Sequence, residues 1–155
     1  MSKATIRRIA GLELFSDCRR AELAQIDQLG TTIDVPAGRT LCTEGARGHE
    51  FFVLLAGDVD VRTAAGTVAI VHAGGWFGEL ALLDGRPRRA TVTATTDVRV
   101  TVFDRREFNC LLAVAPSVRT VIRRGAMRLV DGDTPTRQPW YQPLPRGLPL
   151  MNFGS

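Results

Sequence analysis

A glycine, a carboxylate and an arginine set close together carry the best prospects for chemistry in this chain. They are Gly78, Glu79 and Arg88, in the stretch Phe77-Gly78-Glu79-Leu80-Ala81-Leu82-Leu83-Asp84-Gly85-Arg86-Pro87-Arg88-Arg89-Ala90-Thr91-Val92. A glycine lets backbone approach a ligand that any side chain would block. The Glu79 carboxylate offers a charge-assisted acceptor suited to a sugar hydroxyl. The planar fork of Arg88 suits a phosphate. Between them, Glu79-Leu80-Ala81-Leu82-Leu83 is a good helix former about one turn long, and its first N–H groups face whatever sits over Gly78, which favours an anion. Asp84-Gly85 then breaks the turn, and Pro87 forces the chain extended ahead of Arg88, so the arginine can return to the same anion. These residue types suit one small ligand that carries both a phosphate and a sugar hydroxyl.

Other chemistry finds little support. No nucleophile–base pair or carboxylate dyad emerges, and His49 and His72, the only histidines, stand in no recognisable catalytic motif. Both read as structural or surface residues, so an enzyme is not expected. No Cys or His pair has metal-ligand spacing. Read as a structural ion pair, Glu79 and Arg88 would add under about 1 kcal/mol, which makes binding the better reason for the arrangement. Trp76 and Phe77 read as packing beneath the glycine turn, and Cys42 as core.

The elements that must position these residues are mostly strands. Short β-prone runs at 31–35, 39–43, 50–55, 58–63, 67–72, 90–95 and 98–103 alternate with Pro36-Ala37-Gly38, Glu44-Gly45, Gly57-Asp58, Ala65-Gly66 and Gly74-Gly75. Strands at roughly ten-residue spacing with such turns predict an antiparallel sandwich or barrel. Ahead of them, Ser16 is a candidate cap for a helix with Leu23, Ile26 and Leu29 on one face. After them, Asp104 can cap an amphipathic helix from Arg105, and Pro116 can open a second helix with Val118, Val121, Ile122, Met127 and Leu129 apolar. Asp131-Gly132-Asp133 stops that helix. The expected organisation is a helical segment over 1–30, a β domain over 31–104 with the ligand loop at 77–91, helices over 105–130 and a proline-rich tail over 131–155. The tail shows no periodicity and is expected to be extended or disordered, able to dock back on the domain.

Phe77-Gly78-Glu79-Leu80-Ala81-Leu82, Pro87-Arg88 and Ala90-Thr91-Val92 closely resemble the phosphate-binding cassette of the cyclic nucleotide-binding domain family. That family includes regulatory subunits of cyclic-AMP-dependent kinase, catabolite activator proteins and cyclic-nucleotide-gated channels. Leu12-Glu13-Leu14-Phe15, Pro36-Ala37-Gly38, Glu44-Gly45, Leu55-Ala56-Gly57 and Gly75-Trp76-Phe77-Gly78 extend the resemblance over about residues 10–130. It implies a mainly β fold with flanking helices: an eight-stranded antiparallel jelly-roll, an N-terminal helix, and C-terminal helices that act as a hinged lid. It implies that Glu79 takes the ribose 2′-hydroxyl and Arg88 the cyclic phosphate, with N–H groups around Gly78, Ala81 and Arg89 completing the cradle. The implied ligand is cyclic AMP, with cyclic GMP open. The family's residue after the cassette arginine is usually small or carries a hydroxyl, whereas here it is Arg89. That side chain has three alternatives: it swings out to solvent, adds a second positive charge beside the phosphate, or blocks the pocket. In the last case the fold would serve as an interaction or scaffold module without nucleotide. Trp140 and Tyr141 are candidates to cap the base from beyond the lid.

Length and composition suit a reduced, globular chain. At 155 residues it fits one domain, and its 45% apolar and 23% charged content is ordinary for one. No apolar run reaches the roughly 18 residues of a membrane span, and the N-terminus lacks the apolar stretch of a secretion signal. Cys18, Cys42 and Cys110 are three, odd and widely spaced, which suits free thiols and a cytoplasmic setting. The net charge is +4, and 19 of 20 basic residues are arginine. Arg119, Arg123, Arg124 and Arg128 fall at helical spacing and read first as a solvated face, then as a surface for an acidic partner, and last as one for nucleic acid. Residues 131–155 cannot supply the helix-turn-helix with which the activator proteins read DNA, so DNA binding is not expected. A signal would leave through an effector protein or through a homodimer on the lid helix.

Overall fold

The computed structural model describes residues 11–64, 66–130 and 141–143, with side chains described as far as residue 124. Two antiparallel sheets form a jelly-roll flanked by helices. Strands β1 (Thr31–Val35), β2 (Thr40–Cys42), β3 (Glu50–Ala56), β4 (Asp58–Thr63), β5 (Gly66–His72), β7 (Thr91–Ala94) and β8 (Val98–Asp104) fall on the expected runs, each bound within a residue. Two short strands add to them: β6 (Trp76–Phe77) and β9 (Tyr141–Pro143). One sheet has the order β1-β8-β3-β6 and the other β2-β7-β4-β5-β9.

Strand β3 is buried on both faces, which is why its Phe51-Phe52-Val53-Leu54 run is continuously apolar. Phe51 packs 5.0 Å, centroid to centroid, from Phe108 on helix α3 (Arg105–Val114). Its neighbour Phe52 points to the opposite face and stacks on Phe77 at 4.9 Å. The alternation along one strand thus joins the helical layer to the ligand loop. On the second sheet Val59, Ala69, Val71, Val92 and Ala94 close the core, all buried.

Four helical pieces complete the domain: a 3-10 turn Glu13–Phe15, α1 (Arg20–Leu29), α3 and α4 (Pro116–Val130), with the short α2 (Glu79–Asp84) inside the ligand loop. Ser16 does not cap α1. Its hydroxyl donates to the Glu13 carbonyl at 2.8 Å within the 3-10 turn, and α1 begins four residues later, where the Arg19 N–H donates to Glu22 Oε1 at 2.8 Å. The local turn captures the serine before the helix can use it. Asp104 does cap α3: its Oδ1 accepts from the Glu107 N–H at 2.7 Å while Glu107 Oε1 accepts from the Asp104 N–H at 2.9 Å. Pro116 opens α4, whose Val118 and Ile122 are fully buried.

Strand β9 was not legible in the tail. Ala69, Ile70 and Val71 of β5 pair with Pro143, Gln142 and Tyr141, covering an edge that β5 would otherwise expose. A proline is tolerable there because an edge strand need donate on one side only. Trp140, the other candidate base cap, lies outside the described residues. No helix among the described residues is long and apolar enough to cross a membrane.

Candidate functional site

The ligand loop starts where β6 ends and is seated on β3. Gly78 has φ +93°, the left-handed region that glycine tolerates. A Cβ there would also stand 2.8 Å from Arg88 Nη1 and 2.9 Å from the Glu50 carbonyl. Conformation and space both demand glycine. From Gly78 the chain turns into α2, and Gly85 closes it with its N–H on the Ala81 carbonyl at 3.0 Å. The loop then crosses the 43–48 turn: the Arg88 N–H donates to the Ala46 carbonyl and the Gly45 N–H to the Arg88 carbonyl, both at 2.8 Å. This two-bond rung carries Arg88 back over the start of α2.

The predicted residues fall into an inner and an outer set. Phe77, Glu79, Ala81 and Arg88 are buried, at 7%, 4%, 5% and 8% exposure. Gly78, Leu80 and Ala90 are half-buried. Arg89 is exposed, and its Nη2 reaches Asp84 Oδ2 at 3.7 Å across the top of the loop. Of the alternatives open to it, the outward one is adopted.

Arg88 and Glu79 are buried charges with unfinished bonding. Arg88 Nη1 donates to the Gly78 carbonyl and Nη2 to the Glu50 carbonyl, both at 2.7 Å, and its Cζ lies 6.0 Å from the centroid of the Phe52 ring. These partners orient the guanidinium but bring it no negative charge. Among the described residues no carboxylate lies within ion-pairing distance of it. Glu79 Oε2 is buried and has no hydrogen-bond partner. Burial pushes the Glu79 carboxyl up to about 7, against the opposing pull of its own backbone N–H and of the Arg88 cation. A buried cation lacking an anion and a buried acceptor lacking a donor are each costly unless something completes them. One molecule with an anionic group and a hydroxyl would complete both.

Three further residues belong to the site and were not singled out in the sequence. Gly48 is buried against Arg88: a Cβ there would come within 2.4 Å of the Ala81 Cβ and 2.7 Å of Arg88 Cζ. Glu50 supplies a backbone carbonyl, which any residue type could supply, so it left no sequence signal. Phe52 shields the guanidinium, and only its alternation with Phe51 hinted that it faced away from the helices. Cys42 lies within electrostatic reach, since burial drives its thiol up to about 11 while Arg88 pulls the other way and Glu50 and Glu79 add to the rise. Cys18, Cys42 and Cys110 are all free thiols. His72 Nδ1 lies 2.7 Å from Asp58 Oδ1, a cross-strand contact outside the site. Among the described residues no group of His, Cys, Asp and Glu could hold a metal ion.

The sequence profile of the family described as "Cyclic nucleotide-binding domain" matches residues 32–114, just over half of the chain and all of the site. The chain belongs to the cyclic nucleotide-binding domain family. It is 39% identical over 113 residues to a cAMP-dependent protein kinase regulatory subunit of Aspergillus fumigatus, covering 72% of this chain and 27% of that protein. It is 34% identical over 124 residues to a cyclic nucleotide-gated potassium channel of Rhizobium etli, covering 80% of this chain and 35% of that protein. The chain therefore spans about a third or less of the length of these relatives. Its fold matches the regulatory domain of Toxoplasma gondii PKA, solved with cAMP, at a TM-score of 0.72 and 20% identity, over 80% of this chain and 49% of that one. At that identity the likeness speaks for the jelly-roll alone.

Proposed function

We propose that this domain binds a cyclic nucleotide, cyclic AMP in preference to cyclic GMP, and transmits its occupancy through α4 to an effector protein. The observation that carries this reading is the pair of incomplete buried charges, Arg88 and Glu79, at the two ends of one loop. The cyclic phosphate would take the remaining N–H groups of Arg88 together with backbone N–H groups around Gly78, Ala81 and Arg89. The ribose 2′-hydroxyl would donate to Glu79 Oε2. The outward course of Arg89 toward Asp84 supports an open site rather than a blocked one. It also leaves no hydroxyl at that position to favour guanine.

Transmission follows from packing. Helix α2 inside the loop contacts α4, and α4 also contacts the 3-10 turn at Glu13–Phe15. A ligand that orders the loop shifts α4 only by its difference in affinity for the two helix positions. The read-out would be an effector protein, as a kinase-type regulatory domain would use, or a homodimer on α4.

The test is calorimetric titration of cyclic AMP, with cyclic GMP alongside, into protein freed of co-purified ligand by unfolding and refolding. Micromolar or tighter binding is expected for cyclic AMP. Arg88→Ala should weaken it by about 2–4 kcal/mol, because charge-assisted bonds in a buried site are lost. Heats equal to the buffer blank on folded protein, or near-normal affinity in Arg88→Ala, would overturn the proposal.

A further inference from the structure

The chain's excess positive charge sits on one helix. Of 20 basic and 16 acidic residues, α4 holds Arg119, Arg123, Arg124 and Arg128 and no acid, so the other 140 residues balance at 16 against 16. Arg119, Arg123 and Arg124 are exposed, and none has an ion-pair partner among the described residues. Three arginines elsewhere are paired: Arg62 with Asp60 at 2.9 Å, Arg99 with Asp34 at 2.8 Å and Arg89 with Asp84 at 3.7 Å. Helix α4 turns its buried residues Val118 and Ile122 to the core and presents the unpaired forks of Arg119, Arg123 and Arg124 to the outside.

We propose that the exposed arginine face of α4 is a docking surface for an acidic protein segment, one that sets Asp or Glu side chains along a helix or an extended stretch. Arg119, Arg123 and Arg124 span about 7.5 Å of helix at 1.5 Å per residue, the reach of a segment with carboxylates about one turn apart. Arginine forks match carboxylates two bonds at a time, which gives register as well as attraction. A membrane surface is the poorer fit, because Val118 and Ile122 of α4 are committed to the core and cannot enter lipid. A nucleic acid is also the poorer fit, because the remaining 140 residues carry no net positive charge to add to the attraction of a phosphate backbone. This docking surface goes beyond the nucleotide reading and does not depend on it.

The probe is an acetylated, fluorescein-labelled 15-residue helical peptide with glutamates four apart, followed by fluorescence anisotropy on the whole chain. Two exposed triple variants carry the same charge change: R119E/R123E/R124E on α4, and R20E/R39E/R47E elsewhere. Saturable binding of the peptide should weaken as salt rises, fall about tenfold or more in the α4 variant, and change less than about threefold in the other. Equal losses in both variants would mean that net charge alone attracts the peptide and would overturn the proposal. So would no binding, or tighter retention of a 20-base-pair duplex or of phosphatidylserine vesicles than of the peptide. Circular dichroism and cyclic AMP titration of the α4 variant report folding and the nucleotide site separately.

Discussion

Glu79 holds its proton to about pH 7 in the folded chain, whereas an unfolded glutamate releases it near 4.5. The sign follows from proton counting. Between those values the native state binds more protons than the unfolded state, so stability falls as pH rises through the window, and the loss is complete above it. At 1.36 kcal/mol per unit, the full effect is at most about 3 kcal/mol. Ligand-free protein should therefore show a higher urea midpoint at pH 5 than at pH 8, and Glu79→Gln should lose that part of the slope. Identical pH dependence in wild type and variant would place the buried proton elsewhere. Binding has the opposite sense: a hydroxyl donating to Glu79 favours its ionised form, so nucleotide affinity should rise from pH 5.5 to 8.

Two elements, α2 and α3, show how differently local sequence determines structure. Helix α3 is closed at its start by residues three apart, Asp104 and Glu107, whose reciprocal bonds need nothing from the rest of the chain. That signal is readable in any sequence. Asp104→Ala should cost about 1 kcal/mol and lower the melting temperature by about 2–4 °C, with Asp104→Asn recovering most of it. An unchanged melting temperature would mean the cap adds nothing once α3 is packed. Helix α2 has no side-chain cap. It stands because Gly78 and Gly85 turn the chain at its ends and because Arg88 is tied to the Gly78 carbonyl from ten residues away. The serine at position 16 failed as a cap for the converse reason, since a competing turn closer in sequence took its hydroxyl.

At the scale of the molecule, two surfaces decide how the domain meets others. One is the edge of β5, covered by β9. A chain ended after Val130 would leave that edge open, with its N–H and C=O groups free to template pairing. Such a truncation should associate with rising concentration in sedimentation velocity, while the full chain does so less. A truncated chain no more associated than the full one would show that the β5 edge is guarded by something other than β9. The other surface is α4, which touches the ligand loop on one side and carries the unbalanced arginines on the other.

The sequence by itself determined seven of the nine described strands, the capped helix α3, the proline that opens α4 and the loop with its glycine, carboxylate and arginine. Each of these rests on residues near one another in the chain: alternation with turn residues between runs, a cap three positions from its partner, a helix former between two glycines. Only the tertiary structure decided which way the charges point. Arg88 is buried and Arg89 is not, although they are adjacent arginines, because the Glu50 carbonyl and the Phe52 ring reach the first from a strand almost forty residues back, while Asp84 holds the second outside. The closeness of Gly48 to the guanidinium and the pairing of Tyr141–Pro143 with β5 are of the same kind. Both depend on contacts made across the chain, and those leave no period or motif in a single sequence.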